Sequence, residues 1–217
     1  MSGSTPDLVL LRYATLFWDF DGVIKESVNV KTQAFVELFK PFGAAVAARV
    51  RDHHEHHGGL SRFEKIPLYL EWAGQTATAD EVARYCDRFS AAVRESVIGS
   101  AWVPGAREYL EANCARQRFV LISATPQAEM EEIVQALGAS HWFREIHGAP
   151  TPKRDAIESV LLKWKCAPAG ALVIGDSTAD YKAAKAAGVE FLLRRTPLNL
   201  DLQQLHRGLQ CEDFLHG

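Results

Sequence analysis

Cysteine is scarce, and what there is lies scattered: Cys86, Cys114, Cys166 and Cys211 form no C-x-x-C pair. That spacing indicates neither a zinc site nor a disulfide framework and reads as reduced thiols. Basic residues are not in excess; the formal net charge of −3 offers no footprint for a nucleic-acid partner. No apolar run reaches the roughly 18 residues that a membrane helix requires. The opening Met1-Ser2-Gly3-Ser4-Thr5-Pro6 lacks the positive and apolar regions of a secretory signal. Internal repeats and low-complexity stretches are absent too. What is present is ordinary: 217 residues, 47% hydrophobic and 24% charged, near the averages of a globular protein. A cytoplasmic protein is expected, long enough for two domains or for one domain with a large insertion.

The second half alternates. Apolar runs at 119–123, 171–174 and 191–193 are separated by helical patterns at 127–137, 152–165 and 179–187. Continuous apolar runs between helices predict a parallel sheet buried on both faces. One more such run, Leu16-Phe17-Trp18, stands far upstream. The interval between carries only helical patterns, at 30–40, 44–56, 62–72 and 80–98. The fold class expected is therefore α/β, with a parallel sheet carrying helices on both faces and an all-helical domain inserted at 26–99. The core comprises 1–25 and 100–217, re-entered through Trp102-Val103-Pro104-Gly105 into a helix at 106–115. Ser61-x-x-Glu64 predicts a capped helix start, and Pro67 predicts a kink or interruption soon after.

Three apolar runs deliver polar residues at their ends: Asp19 and Asp21, then Ser123, then Asp176. Ligands of open α/β sheets bind outside the carboxyl ends of the strands, so these groups are expected to converge. Each taken alone also fits a turn former ending a strand. Asp19 and Asp21, two apart, share one face. An ionised carboxylate can attack phosphorus, and a second beside it can serve as general acid and base. Gly22 permits a sharp turn and lets bare N–H groups approach phosphate. Asp176 and Asp180 bring the acids to four; at 4 Å and an effective dielectric of ~20, each close pair costs about 4 kcal/mol. Such a cluster calls for a divalent cation, and oxygen ligands favour Mg²⁺. Asp180 alone also fits a helix N-terminal acid. Lys153 is a candidate phosphate-binding cation, with Arg154 the alternative.

In this order the motifs resemble those of the haloacid dehalogenase-like superfamily, in its phosphatase and phosphomutase branch. Trp18-Asp19-Phe20-Asp21-Gly22-Val23-Ile24-Lys25-Glu26-Ser27 is similar to the first motif and Leu121-Ile122-Ser123 to the second. Lys153 fits the third and Gly175-Asp176-Ser177-Thr178-Ala179-Asp180 the fourth. The resemblance spans nearly the whole chain and implies a Rossmann-like core with a helical cap. It implies Asp19 as the phosphorylated nucleophile and Asp21 as general acid/base. Mg²⁺ would be held by Asp19, Asp21 (through its backbone carbonyl), Asp176 and Asp180. The phosphoryl group would be held by Gly22, Ser123, Ala124 and Lys153. The implied substrate is a small phosphorylated metabolite. An acid at position 21 argues against the dehalogenase branch. A sugar phosphomutase using the same site is the nearest rival, and a phospho-receiver signalling domain the more distant one.

Arg62 and Lys65, after Gly58-Gly59, are candidates to meet an anionic substrate tail from the cap, against the plainer reading of a solvated helix start. His53, His54, His56 and His57 have spacings that fit a transition metal, but fit better the cationic end of a helix dipole. Trp72, Trp102, Trp142 and Trp164 are expected to pack. The identity of the metabolite, and whether the protein is a monomer or a homodimer, stay open.

Overall fold

A computed structural model describes residues 9–215, so the leader-free reading of Met1 to Pro6 lies outside the described residues. The strands are β1 (Thr15–Trp18), β2 (Arg118–Pro126), β3 (Phe143–Ala149), β4 (Ala171–Gly175), β5 (Glu190–Arg194) and β6 (Leu209–Cys211). They form one parallel sheet in the order β3-β2-β1-β4-β5-β6. Alternation inside the apolar runs assigns each side chain to a face. Leu16, Trp18, Leu121 and Ile174 join one buried cluster, while Phe17, Val120, Ile122 and Val173 join the other. Both faces are dry, which explains why these strands read as unbroken apolar runs.

Nine α-helices lie wholly within the described residues: α1 (Val28–Phe39), α2 (Ala44–His56), α3 (Arg62–Trp72), α4 (Ala79–Gly99), α5 (Ala106–Asn113), α6 (Gln127–Ala136), α7 (Lys153–Trp164), α8 (Thr178–Ala186) and α9 (Leu200–Leu205). The second face is covered by α7 to α9 through Ile157, Val160, Ala184 and Leu202. The first is covered by α5 and α6, and its cluster continues into α1 to α4. There Phe35 stacks on Phe89 at 3.9 Å between ring centroids, Phe39 on Tyr85 at 5.3 Å, and Tyr69 meets Phe35 edge-on at 5.4 Å. Such pairs add about 0.5–1.5 kcal/mol each beyond their area.

The two chain crossings beside this helical segment are tied together. Val103 N–H donates to the Ile24 carbonyl (3.0 Å) and Glu26 N–H to that of Ala101 (2.9 Å). The ammonium of Lys25, itself buried, donates to the Ile98 carbonyl at 3.1 Å and lies over the Trp102 ring. Trp102 in turn packs on Trp142, centroids 5.8 Å apart.

Several expectations need correction. Helix α3 runs unbroken through Pro67. Proline there forfeits one backbone bond, and the fully buried Ile66, Tyr69 and Leu70 hold the turn together. The capping box of Ser61 and Glu64 is formed as expected. Strands β3 and β6 and helix α9 were not foreseen. Both strands lie at sheet edges, where β3 keeps charged residues partly exposed and β6 has only three residues.

Candidate active site

Strand β1 lies between β2 and β4, so the chain leaves it in one direction and returns on the other side, which makes a switch point between β1 and β4. Asp19 and Asp176 follow these neighbouring strand ends, and Asp19 N–H is bonded to the Ile174 carbonyl at 2.9 Å. The Asp19 carboxylate is buried. Its Oδ1 accepts from the N–H of Phe20 (2.8 Å) and pairs with the Lys153 ammonium (2.9 Å).

Asp21 turns its carboxylate toward α1, where Oδ1 accepts from Ser27 Oγ (2.5 Å) and Oδ2 from Lys31 Nζ (2.5 Å). Burial works to raise its pKa, but Lys31 and Ser27 outweigh that and hold Asp21 below its ordinary value. Ser27 stands at the N-cap of α1 yet spends its hydroxyl here rather than on the helix. Lys31 reaches further, to Thr125 Oγ1 at 2.8 Å. Gly22 has φ +74°, and a Cβ there would lie 2.2 Å from Asp176 Oδ2. Its N–H is bonded to the Lys25 carbonyl at 2.7 Å, so this group is not a bare donor as the sequence suggested; glycine serves the turn and the approach of Asp176.

Lys153, not Arg154, enters the cluster. Its ammonium bridges Asp19 and Asp180 Oδ1 (2.6 Å), whereas Arg154 is exposed and pairs with Asp155. Although burial alone lowers a lysine, these two carboxylates raise its pKa above the ordinary value. Asp180 closes a capping box with Ser177, as a helix N-terminal acid does, and lies fully buried against Lys153. Oxygens of Asp19, Asp176 and Asp180 come within 4.8 Å of one another. Burial and then Asp180 push Asp19 up to about 7; burial and then Asp19 push Asp176 well above its usual value.

These acids fit a divalent cation. Asp19, Asp21 and Asp180 are ion-paired with two lysines and Asp176 with none among the described residues, so four carboxylates face two direct counter-charges. The raised carboxylates show the same need, since without a cation the cluster draws protons instead.

Ala124 and Thr125 line the cavity beside Asp19, with Asp21, Lys31, Lys153 and Asp176. Ser123 is buried, and its hydroxyl accepts from the Thr125 N–H at 3.1 Å. From the helical segment come Arg62 and Lys65, both buried, which overturns the solvated helix start. Arg62 is committed: it grips both oxygens of Glu129 on α6, at 2.8 and 2.6 Å, with Ser90 adding a bond at 2.6 Å. Lys65 donates to His54 Nδ1 at 2.8 Å. Burial, then Lys31, lowers Lys65 to about 7. His54 is itself buried and held well below its ordinary value by burial and then Lys65, so it is neutral and accepts. His53 is lowered to about 4, first by burial and then by the stacked His57, and bonds Tyr69 Oη at 3.0 Å. The expected cationic helix end is therefore wrong for these two histidines. This cavity measures about 40 Å³ and adjoins a larger one of about 260 Å³ that shares Gly58, Gly59, Leu60 and Asp176 with it.

Lys31, Thr125 and Glu129 were missed in the sequence, and His54 was singled out for another role than holding Lys65. Three of these four carried a signal: each sits on a helix's apolar stripe, Lys31 with Phe35 and Phe39, His54 with Val50, and Glu129 with Ile133.

Residues 16–193 match the family model described as haloacid dehalogenase-like hydrolase. The chain belongs to that family. This hydrolase is 26% identical over 188 residues to the phosphorylated carbohydrates phosphatase of Thermotoga maritima, covering 81% of this chain and 82% of that protein. In fold it is similar to a putative phosphoglycolate phosphatase from Lactobacillus plantarum (TM-score 0.72, 18% identity, 93% of this chain and 95% of the other). It is also similar to a β-phosphoglucomutase from Clostridium difficile (TM-score 0.71, 19% identity, 93% and 92%). The receiver-domain alternative falls with this membership. No helix among the described residues is long and apolar enough to cross a membrane.

Proposed function

We propose that this hydrolase is a Mg²⁺-dependent phosphatase of a small phosphorylated metabolite, acting through a phosphorylated Asp19. The observation that carries the reading is Asp19 itself: buried at a strand end, held by Lys153, and within reach of Asp176 and Asp180. Both of its hydrogen bonds fall on Oδ1, which leaves Oδ2 to attack phosphorus. Lys153 balances the incoming phosphoryl charge, with Ala124 and Thr125 at the cavity wall. Asp21 protonates the departing oxygen and later takes a proton from water. Asp21 enters the first step carrying the proton that the previous turnover took from water, and the grip of Lys31 and Ser27 favours the ionised carboxylate left behind, the form that the second step needs. Asp19, Asp176 and Asp180, with the Asp21 carbonyl, would hold Mg²⁺, which supplies charge neutralisation for the phosphoryl oxygens.

Helices α1 to α4 act as the cap. A cavity of about 40 Å³ has room for a few waters only, so this is the closed arrangement, and substrate enters when the helices tilt away. The name of the Thermotoga maritima relative supports a phosphorylated carbohydrate as the substrate class. The phosphomutase rival requires a second phosphate-holding site, and Arg62, the best donor for one, is closed onto Glu129. Hydrolysis of an aryl phosphate with Mg²⁺, lost in Asp19→Asn, tests the reading. Turnover that survives this substitution would falsify the nucleophile assignment.

A further inference from the structure

Three cations from the helical segment line the cavity: Lys31, Arg62 and Lys65. Two are matched by acids, Lys31 by Asp21 and Arg62 by Glu129. Lys65 is not. Its side chain is 1% exposed, its hydrogen bond goes to a neutral imidazole, and no carboxylate lies within ion-pair distance of it among the described residues. A buried ammonium without a counter-charge is costly. If Lys65 only propped α3 against α2, methionine would fill the space without that cost. Its charge has a use when an anion arrives. That anion is not the transferred phosphoryl group, which meets Lys153 at the strand ends.

We infer that the site selects phosphate monoesters whose leaving group carries a carboxylate, bound by Lys65 with His54 as its positioning residue. The inference rests on the phosphatase reading above. A carboxylate fits better than a second phosphate. One of the three ammonium donors is spent on His54, and the guanidinium that would fork onto a phosphate is engaged elsewhere. Phe35, Leu60 and Phe89 wall the cavity that Lys65 enters. Burial has brought Lys65 to about 7, so it takes up its proton readily as the anion docks.

The test compares two-carbon esters of equal length, phosphoglycolate ending in a carboxylate and ethylene glycol monophosphate ending in a hydroxyl. Calorimetry on the Asp19→Asn protein with Mg²⁺ reads binding, and wild-type turnover reads kcat/KM. The carboxylate ester is expected to bind at least about tenfold tighter, the ordinary worth of one buried charge-assisted contact. Lys65→Met should bring the two within about twofold, and Lys65→Arg should restore part of the difference. Equal binding of the two esters by the Lys65-intact protein overturns the inference with no further variant, as does a preference that survives Lys65→Met. If every ester binds but none is hydrolysed by wild type, the phosphatase reading fails while the binding ratio still decides this one.

Discussion

Arg62 on α3 and Glu129 on α6 close a bidentate ion pair, 2.8 and 2.6 Å, between the helical segment and a helix packed on the sheet. Both side chains are almost fully buried, at 3% and 8% exposure. Removing one partner of such a pair strands the other. Arg62→Ala should therefore cost on the order of 3–5 kcal/mol in urea unfolding. The double change Arg62→Met with Glu129→Met should recover most of that loss. Equal loss in both proteins would mean that the packing, not the charge, matters there.

Gly59 presses on the core. A Cβ at this position would stand 2.3 Å from Ser177 Oγ and 2.6 Å from the Ala179 Cβ. Gly59→Ala should hold the loop off the 177–179 turn and lower kcat/KM by on the order of 10- to 100-fold, as misplacements of about 1 Å do. Stability should shift by no more than about 0.5 kcal/mol, because Gly59 is only partly buried. Steady-state kinetics beside thermal unfolding separates the two effects.

Lys65 predicts a pH dependence of stability. Its folded pKa, lowered by burial first and then Lys31, is about 7 against an ordinary 10.5. Between these values the unfolded chain binds the extra proton, so this residue makes stability rise with pH across that window. Lys65→Met should be the more stable protein at pH 7, by a few kcal/mol at most, and its advantage should shrink as pH rises toward 10.5. A constant difference across the window would contradict a lysine buried without an acid. Asp21 and Glu64 also act on Lys65, and both favour its charge.

The acid cluster predicts stabilisation by Mg²⁺. Binding to the folded state alone should raise the unfolding midpoint with concentration, by about 2.7 kcal/mol at a hundredfold excess over Kd. Chelation should reverse this, and Asp176→Asn should weaken or abolish it. An unchanged midpoint across a Mg²⁺ titration would remove Asp19, Asp176 and Asp180 as ligands.

The strand ends were legible because the chemistry sits next to unbroken apolar runs: Leu16-Phe17-Trp18 leads into Asp19 and Leu172-Val173-Ile174 into Asp176. Helices α2 and α3 were read to the residue, since their stripes and the Ser61–Glu64 box mark the boundaries. The partners of charged groups were not legible. Lys31 meets Thr125, and Arg62 meets Glu129, across long stretches of chain that only the folded packing brings together. Edge strand β3 stayed hidden because half-exposed strands carry Arg144 and Glu145 as readily as a loop does.

The division of the site between elements has a consequence for how such a protein can diversify. The acids and Lys153 ride on the strand ends and the helices that flank the sheet, whereas Lys31, Arg62 and Lys65 ride on helices α1 and α3. Remodelling the surroundings of Arg62 and Lys65 would change which molecules are admitted while leaving in place the strand-end acids, Lys153 and the Lys31 that grips Asp21.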